Sequence, residues 1–240
     1  MPRFFVEDIC GEDFIITGEN ARHMAKSLRM RTGEMITVSD GKGMDYGCEI
    51  TEVKDTGVRV KILYHQPSDV EASIKVTLYQ GLPKGDKMDY IVQKAVELGV
   101  CKIVPVITER SVSRPDARSA AKKQERWQKI ASEAAKQSGR GMIPVVESVI
   151  PFNKIKWEDC ESLKVLFYEG GGVSMQNVME NYPDQIGLFI GPEGGWEKSE
   201  VTVLKSAGAK IATLGPRILR TETAPLAALS VIMFLTGNLG

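Results

Sequence analysis

Three loops in the second half of the chain hold the residue types from which a small-molecule cleft is built. They are YEGGG (168–172), GPEGGW (191–196) and LGPRILRTETAP (214–225). Glycine lets a ligand approach the main chain closely, so loops of this composition make walls of backbone. GPEGG is neither GxGxxG nor GxxxxGK(S/T), and neither pattern occurs in the chain. A tight strand-to-helix turn explains the GPEGG spacing equally well. Glu193 would repel an anion, so a cationic or zwitterionic ligand suits this loop better than a phosphate. ILRTETAP sets Arg220, Glu222 and two threonines just before an apolar helix. A helix start explains Thr221 or Thr223 as N-cap, Pro225 in the first turn and Glu222 beside the positive helix end. It does not explain Arg220, whose charge is unfavourable there.

Basic residues cluster locally. The stretch from Arg22 to Arg31 carries Arg22, Lys26, Arg29 and Arg31 with no acidic residue. From Arg110 to Arg140 there are nine Lys or Arg against Asp116, Glu125 and Glu133. KGDK adds Lys84 and Lys87. Each patch alone reads as a solvated face, and the Glu125–Lys129 spacing supports that. Together, in two parts of the chain, they point to a polyanion.

The elements that would position these residues change character near residue 70. Before it, β-type runs (Arg3 to Val6, Phe14 to Thr17, Met35 to Ser39, Cys48 to Val53, Val58 to Tyr64) alternate with the turn signals GEN, SDGKG and KDTG. One helical piece, NARHMAKSLRM, interrupts them. This predicts a small β-barrel or β-sandwich domain over 1–70, and HQPSDVEAS reads as a linker. Over 71–240 strands alternate with helices. Strands are expected at Val76 to Tyr79, Ile103 to Ile107, Val165 to Tyr168, Ile186 to Ile190 and Ile211 to Leu214. Helices are expected at Asp86 to Leu98, Ser119 to Ser138, Lys198 to Ala207 and Pro225 to Leu235. That alternation predicts an α/β unit with a parallel sheet covered on both faces. In such a sheet ligands sit beyond the carboxyl ends of the strands, where all three glycine-bearing loops begin.

The 240 residues carry no net charge, with 42% hydrophobic and 26% charged residues, so only local patches argue for a nucleic-acid partner. The four cysteines are scattered and form no CxxC, and the two histidines are His23 and His65. Neither a disulfide framework nor a metal site is expected, and the cysteines read as core. PLAALSVIMFL, the longest apolar run, is too short to span a bilayer. The N-terminus has acidic residues where a signal peptide needs an apolar core. The expectation is a cytoplasmic protein.

QGLPKGDKMDYIVQKAVELGV, ERSVS, RWQKIASEAAKQSGR, IGPEGGW and LGPRILRTETA, in that order, closely resemble the RsmE family, which methylates 16S ribosomal RNA at uridine N3. RFFV and HMAKSLRMRTGE extend the likeness more weakly into the first domain. The resemblance implies a SPOUT-type parallel sheet with a C-terminal trefoil knot, a topology that ordinary chain rules exclude. It also implies a PUA-like N-terminal barrel that helps to bind RNA, a homodimer, and S-adenosyl-L-methionine as cofactor. The family often has Ser where this chain has Glu197, so the start of that helix is expected to differ.

On this reading Ile190, Gly191, Gly194, Gly195, Leu214, Gly215, Ile218 and Leu219 hold the cofactor, and Tyr168 and Glu169 close its other side. Arg220 and Glu222 are the catalytic candidates, with Arg220 favoured. Arg22, Arg29, Lys84, Lys87, Arg110, Arg114 and Arg140 are expected on RNA phosphates. Two alternatives stand beside this: a SPOUT enzyme acting on another RNA such as tRNA, and an RNA-binding module without activity.

Overall fold

The structure, a computed structural model, describes every residue except 7, 55 and 180–182. Asp55 of the KDTG turn lies outside the described residues. The chain separates into two compact units, Met1–Glu71 with Ala135–Ile143, and Ala72–Ala134 with Pro144–Gly240.

The first unit is built on one five-stranded sheet in the order β1-β3-β4-β5-β2. Its strands are β1 (Arg3–Phe5), β2 (Asp13–Ile16), β3 (Met35–Ser39), β4 (Met44–Lys54) and β5 (Gly57–Pro67). β1 runs parallel to β3 and every other pair is antiparallel. Alternation in β2 and β3 sends Phe14, Ile16, Ile36 and Val38 inward, where they meet Met24, Cys48, Ile50, Val58 and Val60. Irregular register at Gly47/Cys48 and Ile50/Glu52 bends the long β4–β5 pair over this core. The helical piece forms as α1 (Gly18–Arg22) followed by a π-helical turn, His23–Ser27. Of the cysteines only Cys48 is core, where burial pushes its thiol up to about 11. Cys10 is exposed and the other two are half-buried, which corrects the reading of all four as core.

HQPSDVEAS is not a free linker. His65 to Pro67 continue β5, and Glu71 is an anchor. Its carboxylate accepts from Arg140 Nη2 at 2.6 Å and from the amides of Gly141 and Met142 at 2.9 and 3.0 Å. Arg140 is 5% exposed. A guanidinium so buried needs a carboxylate partner, and this pairing holds 135–143 to the first unit. Arg140 is therefore structural, and its expected role on RNA phosphate is withdrawn.

The second unit carries an all-parallel sheet in the order β11-β13-β10-β12-β6-β7-β8, with β9 also on β7. The main strands are β6 (Lys75–Gly81), β7 (Lys102–Ile107), β10 (Leu163–Phe167), β12 (Gln185–Ile190) and β13 (Lys210–Thr213). Short strands β8 (Val145–Val146), β9 (Ile150–Pro151) and β11 (Val173–Ser174) and the helix α4 (Met175–Val178) have too few residues to show a period. Helices α2 (Lys87–Glu97), α3 (Ala117–Gln137), α5 (Lys198–Ser206) and α6 (Ala224–Leu235) form where the helical period predicts. α2 buries Met88, Ile91, Val92, Ala95 and Val96, and Gly99 ends it at φ +90°. α6 packs on α2, β6 and β12. A separate cluster joins Val201 and Leu204 of α5 to Tyr79, Leu166 and Phe189 of the strands, with Tyr79 and Phe189 stacked at 4.4 Å.

Glu71→Ala removes the carboxylate that three donors share. The expected loss is about 3 kcal/mol of local stability. Hydrogen exchange at the Gly141 and Met142 amides should rise more than tenfold while α2 stays protected. Unchanged exchange at those two amides would contradict the anchoring role.

Candidate active site

The strands are parallel, so the carboxyl ends of β6, β10, β12 and β13 share one edge of the sheet. The loops leaving β10, β12 and β13 enclose a cavity of about 450 Å³ there. Phe167 to Glu169 form one wall, Ile190 to Glu193 with Gly195 and Trp196 a second, and Ala212 to Thr221 a third; Lys87 and Ala224 complete the lining. Tyr168, Glu169, Ile190, Gly191, Gly195, Leu214, Gly215, Ile218, Leu219 and Arg220 therefore lie on its surface. Gly194 does not line it. A Cβ at Gly194 would sit 3.0 Å from Arg110 Cβ, so that glycine admits Arg110.

Two glycines shape the wall. Gly215 has φ +102°, and a Cβ there would meet nothing within 4 Å. Gly195 has φ +68°, and a Cβ there would stand 2.6 Å from Glu169 Oε2. Its lack of a side chain lets the Glu169 carboxylate lie against the backbone. Trp196 packs edge-on to Phe152 with ring centres 5.9 Å apart, and its buried Nε1 has no hydrogen-bond partner among the described residues.

Thr221 is a tie between loops and not a helix cap. Its hydroxyl donates to the Gly191 carbonyl at 2.8 Å and accepts from Gln80 Nε2 at 3.1 Å. The residue before α6 is Thr223, which caps no amide with its side chain. Sequence reasoning missed Gln80, Trp196 and Arg217 as well. Gln80 offered one signal, a polar side chain directly after the apolar pair Leu78 and Tyr79 at the carboxyl end of its strand.

Charge at the rim is largely paired. Lys87 Nζ lies 3.0 Å from Glu193 Oε1 and 3.1 Å from Glu222 Oε2. Glu193 and then Glu222 hold this ammonium above the usual lysine range. Partial burial works to raise both carboxyls, but their backbone surroundings and Lys87 outweigh it, so both lie below the usual range. The group of three is thus fully charged at neutral pH and loses its carboxylates only in acid. Arg110 pairs with Glu197 at 2.9 Å and donates to the Gly194 carbonyl at 3.0 Å. Glu197 also starts α5, accepting from Lys198 N at 3.1 Å, while Glu200 accepts from Glu197 N at 3.0 Å. A carboxylate box thus stands where the family often has a serine cap, and the helix start differs as expected. Arg114 donates to the Glu109 and Thr108 carbonyls.

Lys87, Arg110 and Arg114 therefore have partners inside the protein, which redirects their expected role on phosphate. Arg22, Arg29 and Lys84 are exposed and make no ion pair among the described residues. Arg29 follows the π-helical turn and has φ +51°, the one positive φ outside glycine among the described residues. Backbone irregularities of this kind concentrate at functional sites. Arg220 lines the cavity and likewise forms no ion pair.

A parallel α/β unit with a loop-walled cleft at its carboxyl edge, joined to a small β unit, defines a two-part protein with a ligand-sized cleft in its larger unit. The RNA methyltransferase domain family matches residues 70–233, and the RNA methyltransferase PUA domain family matches 16–63. The ribosomal RNA small subunit methyltransferase E of Bacillus subtilis is 38% identical, covering 98% of this chain and 97% of its own. That of Synechocystis is 32% identical over 94% of this chain and 74% of its own. The crystal structure of the Neisseria gonorrhoeae methyltransferase E bound to S-adenosyl methionine is 35% identical, with TM-score 0.84 over 98% of both chains. A Legionella pneumophila methyltransferase in complex with the same cofactor is 32% identical, with TM-score 0.83 over 97% of both. The chain belongs to the ribosomal RNA small subunit methyltransferase E family.

Thr221→Val keeps shape but removes the hydroxyl between Gly191 and Gln80. The expected loss is about 1–3 kcal/mol, the penalty for unpairing buried polar groups. A lower denaturation midpoint with altered Trp196 fluorescence checks it, and wild-type values for both would count against the tie.

Proposed function

We propose that the chain transfers a methyl group from S-adenosyl-L-methionine to N3 of a uridine in 16S ribosomal RNA. Membership of the methyltransferase E family supports the class of reaction. The observation that carries the reading is the cavity itself. Its volume suits a nucleoside-sized ligand, and its walls combine backbone and apolar side chains with the charged residues Lys87, Glu169, Glu193, Arg217 and Arg220. The open Gly215 position, the orphaned Trp196 Nε1 and the Glu169 carboxylate fit a zwitterionic, hydrogen-bonding ligand.

In this reading Ile190, Gly191, Gly195, Leu214, Gly215, Ile218 and Leu219 hold the cofactor, with Tyr168 and Glu169 on its far side. The cofactor supplies an electrophilic methyl group on a sulfonium. The chain's residues must orient the base and manage the N3 proton. A uridine in structured RNA has to be turned out of its stack to reach this cleft. As the N3 proton passes to solvent water, charge spreads onto O2 and O4, and the Arg220 guanidinium, which forms no ion pair among the described residues, would stabilise that charge. Glu222 is engaged with Lys87, which makes it the weaker candidate for the proton. Arg22, Arg29 and Lys84 would hold phosphates and set register.

The same reading includes a homodimer and a threaded chain. Val231, Phe234 and Leu239 are 37%, 67% and 45% exposed, which gives α6 and the residues after it an apolar outer side. From β13 at one side of β10, residues 214–223 must cross the ends of β10 and β12 to reach α6. That crossing, beside the loop 168–172, supports a trefoil knot. Among the described residues no helix is long and apolar enough to cross a membrane. A ribosomal RNA substrate supports a cytoplasmic location.

Nucleoside mass spectrometry of ribosomal RNA from a deletion strain should show one uridine lacking its N3 methyl group, restored by the gene. A fully methylated 16S RNA in the deletion strain would overturn the assignment. Arg220→Ala should bind cofactor within threefold of wild type and lose at least a hundredfold in kcat. Its activity should recover as pH rises, because hydroxide then ionises the uridine unaided. Retained turnover at neutral pH would sink the role of Arg220.

A further inference from the structure

Three motifs contribute a charge that the proposed chemistry leaves unexplained: Lys87 of KGDK, Glu193 of GPEGG and Glu222 of RTETA. The structure brings them together. Lys87 is the first residue of α2, where a cation opposes the helix dipole, so the helix start does not account for it. Its ammonium reaches Glu193 in the loop after β12 and Glu222 in the segment before α6, at 3.0 and 3.1 Å. Glu193 is held a second time from the same side, because the Lys84 amide donates to its two oxygens at 3.2 and 3.4 Å. Without the ammonium, two carboxylates within reach of one nitrogen would repel each other. The β6–α2 turn thus fixes both a cofactor wall and the segment carrying Arg220.

We propose that Lys87 is a positioning residue of the methyl-transfer site, a latch that sets the cofactor loop 191–196 against the Arg220 segment 214–223. The inference rests on the proposed function for its consequence in catalysis. The latch itself is a property of the unliganded protein. It explains why a carboxylate sits inside a glycine-rich loop, where a phosphate cradle would exclude one. It also gives Lys87, at the rim of the site, a task on the protein's own loops in place of one on the RNA backbone. A phosphate approaching Lys87 would meet the negative charge of both carboxylates beside it.

The test compares Lys87→Met, Lys87→Arg and the pair Glu193→Gln/Glu222→Gln with wild type in the full chain. Hydrogen exchange without cofactor should rise at least fivefold in 192–195 and 220–223 for Lys87→Met. Its S-adenosylmethionine affinity by calorimetry and its kcat should each fall about tenfold, with KM for RNA and its salt dependence unchanged. Lys87→Arg should return all of these to within threefold. In the double-Gln background Lys87→Met should add less than twofold, since the partners are already gone. A raised RNA KM with a shallower salt dependence, and unchanged loop exchange, would overturn the latch and make Lys87 a phosphate contact. A full tenfold effect in the double-Gln background would overturn it too. If wild type binds no S-adenosylmethionine, the proposed function fails, and the exchange comparison still decides the latch.

Discussion

Strand β12 shares backbone hydrogen bonds with β6 along its whole length and with β10 on its other side. The rest of the second unit follows from that insertion. The chain must run outward from β6 to β7, return to β10, and come back once more to fill the place between β10 and β6. Because every strand is parallel, the loops after β10, β12 and β13 are forced onto one edge. There they approach closely enough that Thr221 reaches the Gly191 carbonyl and Lys87 reaches two carboxylates. A cleft of main chain is the consequence of strand order, and the glycines keep it open.

Much of this was legible in the residues. The apolar stripe of α2 and the alternation of β2 and β3 reflect burial on one side, and they appear in the structure as predicted. The three loops were found by composition, because glycine at a strand end has a reason tied to space. Strand order was not legible, since periodicity says which face is buried and nothing about which strand lies next to which. The resemblance to a known family supplied what pattern could not. Thr221 misled because hydroxyl residues before a helix usually cap it, and only a three-dimensional neighbour, Gly191, reveals its other use.

Charge separates into two populations that look alike in a sequence. Arg140, Lys87, Arg110 and Arg114 each have a partner within the fold, set by residues 69, 106, 87 and 5 positions away. The three long separations are invisible to a search for local acidic neighbours, and Arg114 is held by backbone carbonyls that such a search does not count. Arg22, Arg29 and Lys84 stay exposed, and Arg220 lines the cleft with no ion pair among the described residues. A protein with no net charge can meet a polyanion with these few uncommitted cations, because association responds to local potential more than to total charge.

The proposed cofactor site is the three-loop cleft of the second unit. Amide resonances followed during titration with S-adenosylmethionine test it most directly, with Gly215→Val as the control. Shifts are expected in 168–169, 190–196 and 212–221 for wild type and are expected to be lost in Gly215→Val, whose branched side chain is strained at φ +102° and would enter the open space of the cleft. Shifts centred elsewhere, on the sheet of the first unit for example, or an undiminished response in Gly215→Val, would contradict it.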